Sequence, residues 1–198
     1  MTTTLASLGV SIESGSVITR IQAKENAENG RVVKVLLPKA LTGEINKDML
    51  DDLIVDGSAL DKGKIKIVHE GDVVMKLTTP YDAAYVDDVS ENVVVSSHCV
   101  TIKFPEGAEV DAKYLAYLLN SPYTKDYLKS VTSGAATVML KVRDIGNIPI
   151  PTLEIGEQRK LGEIFQAFCK KKEILRRMID AEDAAENALI MDALEGRY

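Results

Sequence analysis

The stretch GEQRKLGEIFQAFCKKKEILRRMIDAEDAAENALIMDAL, residues 156–194, carries no proline and no internal turn signal. Read as one helix at about 1.5 Å per residue, it is roughly 60 Å long. That exceeds the diameter of any domain the remaining residues could build, so part of it must project or pair with something. Apolar residues recur at three- and four-residue spacing: Leu161, Ile164, Phe168, Leu175, Met178, Ala185 and Leu189, interrupted by Lys171, Glu182 and Asp192. A second set, Phe165, Ile174, Ile179 and Ala188, widens the stripe beyond a two-position seam and predicts contact with more than one neighbour. The plainer alternative is an amphipathic helix folded back on its own domain.

Charge along the stretch is asymmetric. Lys170, Lys171, Lys172, Arg176 and Arg177 fill its middle, and Asp180, Glu182, Asp183 and Glu186 follow. Two copies packed antiparallel and crossing near Met178 set each basic block against the other's acidic block, whereas a parallel pair sets like against like. The expectation is an antiparallel self-pairing helix. The competing reading is a solvated face whose charges only keep it soluble, since single exposed pairs contribute little.

The 198 residues suffice for one domain plus an appendage. A 45% hydrophobic content supports a core. Aromatic residues are 5% and Trp is absent, so aliphatic packing must dominate. Net charge is −6, and neither the part before Ile150 nor the part after it is basic overall. That argues against a diffuse polyphosphate binder but leaves room for a local basic face. Cys99 and Cys169 lie far apart in apolar runs and read as reduced thiols of a cytoplasmic protein. No apolar run approaches membrane-spanning length, and a signal-peptide pattern is lacking, so no membrane partner is expected.

Ahead of the long helix the chain reads as many short strands. Leu5 to Ile12 is a helical turn or covering segment. Strands are expected at Val17–Ile21, Arg31–Leu37, Lys64–His69, Val73–Thr78, Ala83–Val86, Asn92–Val95 and Cys99–Phe104. Between them, Thr42 to Gly57 reads as a loop with one helical turn. In the strand Lys64–His69, Lys64, Lys66 and Val68 share one face. Asp111 is a candidate N-cap for a helix carrying Leu115, Leu118 and Leu119, and Ser121-Pro122 starts a second helix. Thr137–Val142 reads as a last strand. Ile148-Pro149-Ile150-Pro151 is a stiff extended connector into the long helix. The fold class is therefore α+β: a mainly β domain with an inserted helical pair over 1–151, then one long coiled-coil helix over 152–198.

Three stretches, in this order, resemble the specificity (S) subunits of type I restriction–modification systems. Gly71-Asp72-Val73-Val74-Met75-Lys76 is similar to the glycine–aspartate strand of their target-recognition domain. Val95-Ser96-Ser97-His98-Cys99-Val100-Thr101-Ile102 with Tyr114-Leu115-Ala116-Tyr117-Leu118-Leu119-Asn120-Ser121-Pro122 is similar to the next strand and a helix ending in an asparagine–serine–proline turn. Ile145-Gly146-Asn147-Ile148-Pro149-Ile150-Pro151 with Glu157-Gln158-Arg159-Lys160-Leu161 is similar to the segment leading into the family's long helix. The family's usual subunit holds two recognition domains and two antiparallel long helices that act as a ruler between half-sites. This chain has room for one of each, so the resemblance implies half a subunit, completed by dimerisation through the helix seam. It also implies a non-catalytic reader of double-stranded DNA that presents its site to methyltransferase and restriction subunits and needs no cofactor. The residues agree: no methyltransferase motif, phosphate-cradling glycine loop or metal-ligand cluster is visible, and His69 and His98 read as structural histidines.

Base reading needs donors and acceptors on loops that reach the major groove, with Lys or Arg for phosphates. The candidates are Lys76, Thr78, Thr79 and Tyr81, then Ser133, Thr137 and Lys141, with Lys64 and Lys66 for phosphates. Each lysine is also readable as ordinary surface charge. The acidic residues Asp82, Asp87, Asp88 and Glu91 lie close in sequence and would repel DNA unless they point away. Two rival functions stand beside this one: a scaffold or docking protein of the same fold that does not read DNA, and an enzyme such as a nuclease or hydrolase. A carboxylate cluster in one cleft would favour the enzyme, and the sequence shows no such set.

Overall fold

The computed structural model describes residues 2–24, 27–88, 91–132 and 139–197. Strands β1 (Thr2–Thr4) and β2 (Ser11–Ser14) flank a 3-10 turn, Leu5–Leu8, and are followed by helix α1 (Ile18–Ile21). Next come β3 (Gly30–Leu36), β4 (Asp51–Asp56), α2 (Gly57–Asp61), β5 (Val73–Lys76), β6 (Ala83–Tyr85), β7 (Val93–Val95) and β8 (Cys99–Lys103). The helical pair α3 (Ala112–Asn120) and α4 (Pro122–Thr132), the short α5 (Val142–Gly146), β9 (Pro149–Pro151) and the long α6 (Ile155–Leu194) complete the chain.

The central sheet is antiparallel, in the order β2-β8-β5-β6, with Val73 opposite Ile102 and Val74 opposite Ala84. All four residues of β5 are buried because both faces of this sheet are covered. Alternation sends Val73 and Met75 into the main core with Leu115, Leu119, Leu128 and Ile148, and sends Val74 to the other side with Leu36, Val95 and Cys99. A second sheet, β4-β3-β7, pairs β3 with β4 antiparallel and with β7 in parallel. The stiff connector pairs with the chain start: β9 lies antiparallel to β1, Thr3 opposite Ile150.

Three expected strands differ from what forms. Val17–Ile21 contributes the helical turn α1 instead, because i, i+3 spacing lets both Ile18 and Ile21 pack on the core formed by Val33, Leu53 and Val55. Lys64–His69 pairs only through Ile67 with Val94, although its facing still alternates, with Ile65 and Ile67 on one core and Val68 on the other. Of Thr137–Val142, the first two residues lie outside the described set, Met139–Lys141 is irregular and Val142 opens α5. There the Asp144 carboxylate accepts the Lys141 N–H at 2.8 Å and starts a helix. Two strands, β2 and β4, form where loop or covering segment was read.

The helical pair follows its capping signals. Asp111 accepts the Tyr114 N–H at 2.9 Å and so starts α3. Ser121 ends α3, its hydroxyl donating to the Leu118 carbonyl, and Pro122 opens α4. No helix among the described residues is long and apolar enough to cross a membrane.

Candidate nucleic-acid interface and the long helix

The register of the central sheet fixes which loops meet. Lys76 at the end of β5 lies opposite Cys99 at the start of β8, and Ser14 at the end of β2 lies opposite Val100. The connections Leu77–Asp82, Ser96–His98 and Gly15–Val17 therefore emerge at one end. They are tied together: Leu77 N–H donates to the His98 carbonyl at 2.9 Å, Ser97 N–H to Ser16 at 2.8 Å, and Leu140 N–H to Leu77 at 2.8 Å. Gly15 permits the close approach, since a Cβ there would sit 2.1 Å from the Ser96 carbonyl oxygen.

This end gathers Thr78, Thr79 and Lys141 from the sequence candidates, and Thr79 and Lys141 are exposed. Ser133 and Thr137 lie outside the described residues. Lys76 and Tyr81 are not surface groups. Lys76 is 8% exposed, with its ammonium 3.1 Å from Asp82, because β5 is covered on both faces. Tyr81 is buried in the main core. Lys64 and Lys66 are exposed on a separate segment, Lys66 held 3.2 Å from Glu13 on the edge strand β2. His98, read as structural from the sequence, is exposed at the loop end, with half-buried Ser97 beside it. The signal available for both was their place between two strands in Ser96-Ser97-His98-Cys99.

The acidic residues point elsewhere. Asp82 turns inward to Lys76 and to Lys125, the latter at 3.2 Å. Asp88 holds Lys47 at 2.7 Å, and Glu91 approaches Lys34 at 3.9 Å. Asp87, Asp88 and Glu91 line a groove of about 1150 Å³ between the body and α6, together with Glu44, Cys169 and Arg176. Arg176 pairs with Glu44 across it, and Arg177 pairs with Glu173 on its own helix. Part of the basic block is thus neutralised within the chain rather than left for a partner. Burial raises the Glu44 carboxyl above its ordinary range despite the Arg176 guanidinium, which pulls the other way. Burial likewise pushes the Cys99 thiol up to about 12, which leaves it inert. Among the described residues, no group of three or more His, Cys, Asp or Glu side chains gathers to hold a metal.

The long helix is joined to the body by its first turns. The Gln158 side chain is buried; its carbonyl accepts the Asp111 N–H at 3.0 Å, and its amide donates to Leu153 at 2.9 Å and to Glu109 at 3.3 Å. One turn on, Gly162 lies so close to α3 that a Cβ would stand 2.7 Å from Asp111 Oδ1 and 2.9 Å from Tyr114 N. Phe165 stacks on Tyr117, and Lys113 bonds Glu163 at 2.6 Å. Leu161, read from the sequence as the first seam residue, belongs to this contact and packs with Phe165, partly buried, against the main core. The remaining seam residues, Ile164, Phe168, Leu175, Met178, Ala185 and Leu189, are exposed, Phe168 by 54%. Of the two residues that seat the helix base, sequence reading noted Gln158 only as part of a resemblance and did not single out Gly162.

Residues 16–181 match the model of the type I restriction modification DNA specificity domain. The chain therefore belongs to this DNA specificity domain family. Among solved structures it is similar to a chain from work on complex assembly and conformational transition of the type I R-M system. That match has 16% identity and a TM-score of 0.62 over 94% of this chain and 46% of that one. It is similar to the HsdS subunit from Thermoanaerobacter tengcongensis, at 16% identity and a TM-score of 0.60, covering 90% of this chain and 44% of that one. It is also similar to the type I restriction–modification S subunit from M. genitalium, at 15% identity and a TM-score of 0.55, covering 91% and 41%. At these identities the likeness shows the fold, and this chain spans less than half the length of each. No curated protein matches in sequence.

Proposed function

We propose that this chain is a sequence-reading DNA-recognition subunit of a type I restriction–modification system that works as an antiparallel homodimer through α6. The body, 1–151, reads one half-site, and the helix, 152–198, sets the distance to the other. The observation that carries this reading is the pairing of an anchored helix base with an exposed apolar seam, Ile164 to Leu189, in a chain that belongs to the DNA specificity domain family. A second copy laid antiparallel covers that seam and supplies the second recognition body. A twofold dimer meets symmetric half-sites, so the target is a split palindrome. Thr78, Thr79, Ser97 and His98 offer hydrogen-bonding groups to base edges, and Lys141 offers charge to phosphate. Methyltransferase subunits, and a restriction subunit with them, are the partners this role requires.

The test is selection from a duplex pool with two randomised half-sites, paired with sedimentation of the free protein. A dimer that enriches a split palindrome, and binds it with strong salt dependence, supports the reading. A monomer sinks the dimer. A second reading, a docking scaffold of the same fold, draws on the net charge of −6. Failure to retain any duplex at low salt, with and without a methyltransferase subunit, would establish it instead.

A further inference from the structure

The loop Leu77–Asp82 between β5 and β6 is held far more tightly than a hairpin connection requires. Lys76 N–H donates to the Asp82 carbonyl at 2.8 Å and Tyr81 N–H to Thr78 at 2.8 Å, which closes the loop on itself. The Lys125 ammonium, delivered from α4, donates to the Pro80 carbonyl at 2.6 Å and to Asp82 Oδ1 at 3.2 Å. Asp82 Oδ2 accepts from Lys76 at 3.1 Å, so one carboxylate bridges two lysines. The Asn120 side chain grips the next residue, accepting the Ala83 N–H at 3.0 Å and donating to its carbonyl at 2.6 Å. Tyr81 is buried with φ +57°, a left-handed conformation that a bulky residue adopts only when its surroundings impose it.

None of this is economical for stability alone. Two ammonium groups facing one carboxylate leave a surplus positive charge, and burial holds Lys125 below the usual lysine range even with Asp82 beside it. Apolar residues of similar volume hold a fold at lower cost than a buried ion group. The charge burial and the backbone strain both fall on one short loop, whose tip offers Thr79 and Pro80 to solvent and half-exposes Thr78. A tip fixed beforehand loses little freedom on binding, and its hydroxyls keep one orientation towards base edges.

We propose that Asp82 and Lys125 are positioning residues that preset the Thr78–Pro80 tip for base reading, so that the Lys76–Asp82–Lys125 trio governs sequence discrimination without touching DNA. The inference rests on the DNA-reading role above. In that role, the trio acts through the shape of the tip rather than through its own charge.

The experiment uses the full chain and two probes: the duplex the wild type enriches from the random pool, and a fixed mixed-sequence duplex. Lys125→Met lowers the preference for the enriched duplex by about tenfold, the scale of one lost base reading. Affinity for the mixed duplex and the melting temperature stay near wild type, and Lys125→Arg restores the preference. Asp82→Asn is isosteric and guards against a folding failure of Lys125→Met; it shows a smaller loss of the same preference. Undiminished preference in Lys125→Met or Asp82→Asn, or a parallel loss on both duplexes, overturns the proposal. A wild type that enriches nothing overturns the DNA-reading role, and this inference with it, whereas a selective wild type with equally selective variants overturns the clamp alone.

Discussion

The two halves of α6 are built from similar residues and live in different worlds. From Ile155 to Cys169 the helix is bolted to α3 by a buried glutamine, a glycine with no room for a methyl group and a stacked aromatic pair. From Lys170 to Leu194 nearly every side chain is exposed, including Leu175, Met178 and Leu189. Amphipathicity alone does not separate them, since apolar residues recur along both. What separates them is the neighbour, since Gln158 and Gly162 lie against α3 and the segment that leads into it. The anchored half fixes a direction, and the free half presents a surface along it.

The sharpest way to break this contrast is at Gln158. Gln158→Leu leaves the Asp111 N–H and the Leu153 and Glu109 carbonyls without their partner, at a cost of about 3 kcal/mol in chemical denaturation. A cost near zero would mean the base is no better fixed than the tip. Next in size, Met178→Glu places a charge in the proposed seam. It weakens self-association by about 100-fold in sedimentation, roughly 2.7 kcal/mol, while the melting of the body is unchanged. Unaltered association would move the dimer contact off this face.

Gly162→Ala gains helix propensity yet meets Asp111 and the Tyr114 backbone, so the clash prevails by about 1–2 kcal/mol. A stabilised variant would show that the base can slide on α3. Smallest is Arg176→Ala, which removes a half-exposed ion pair to Glu44 and costs under about 1 kcal/mol.

Glu44 adds a pH arm to this last test. Its folded pKa is raised above the ordinary 4.5, so the folded chain holds the proton more tightly than the unfolded chain. Its contribution to stability is therefore fully present below 4.5 and is lost as pH rises through the raised value. Glu44→Gln should flatten that part of the stability profile, read by melting at a series of pH values.

Much of the architecture was legible in the chain. Proline-free length announced α6, Asp111 and Ser121-Pro122 announced the helical pair, and the apolar run at Val73 announced a strand. Strands hedged by charge were not: β4 reads Asp-Asp-Leu-Ile-Val-Asp, and its terminal aspartates hide the alternation. Val17–Ile21 misleads because β-branched residues over five positions fit one helical turn as well as a strand. In the candidate site, Thr78, Thr79 and Lys141 were legible as polar groups beside strand ends. That Lys76 faces inward was not, because burial on a second face depends on β3 and β7, distant in sequence. Nor could one sequence show that Asp82 is claimed by a lysine from α4.

The pairing of Thr2–Thr4 with Pro149–Pro151 has a further consequence. It seats the first residues of the chain at the foot of α6. In an antiparallel pair, the far end of one helix arrives beside the foot of the other, and therefore beside its opening strand. Spectroscopic labels on Thr3 and Leu194 would then come close between copies in the proposed pair, and stay far apart within one.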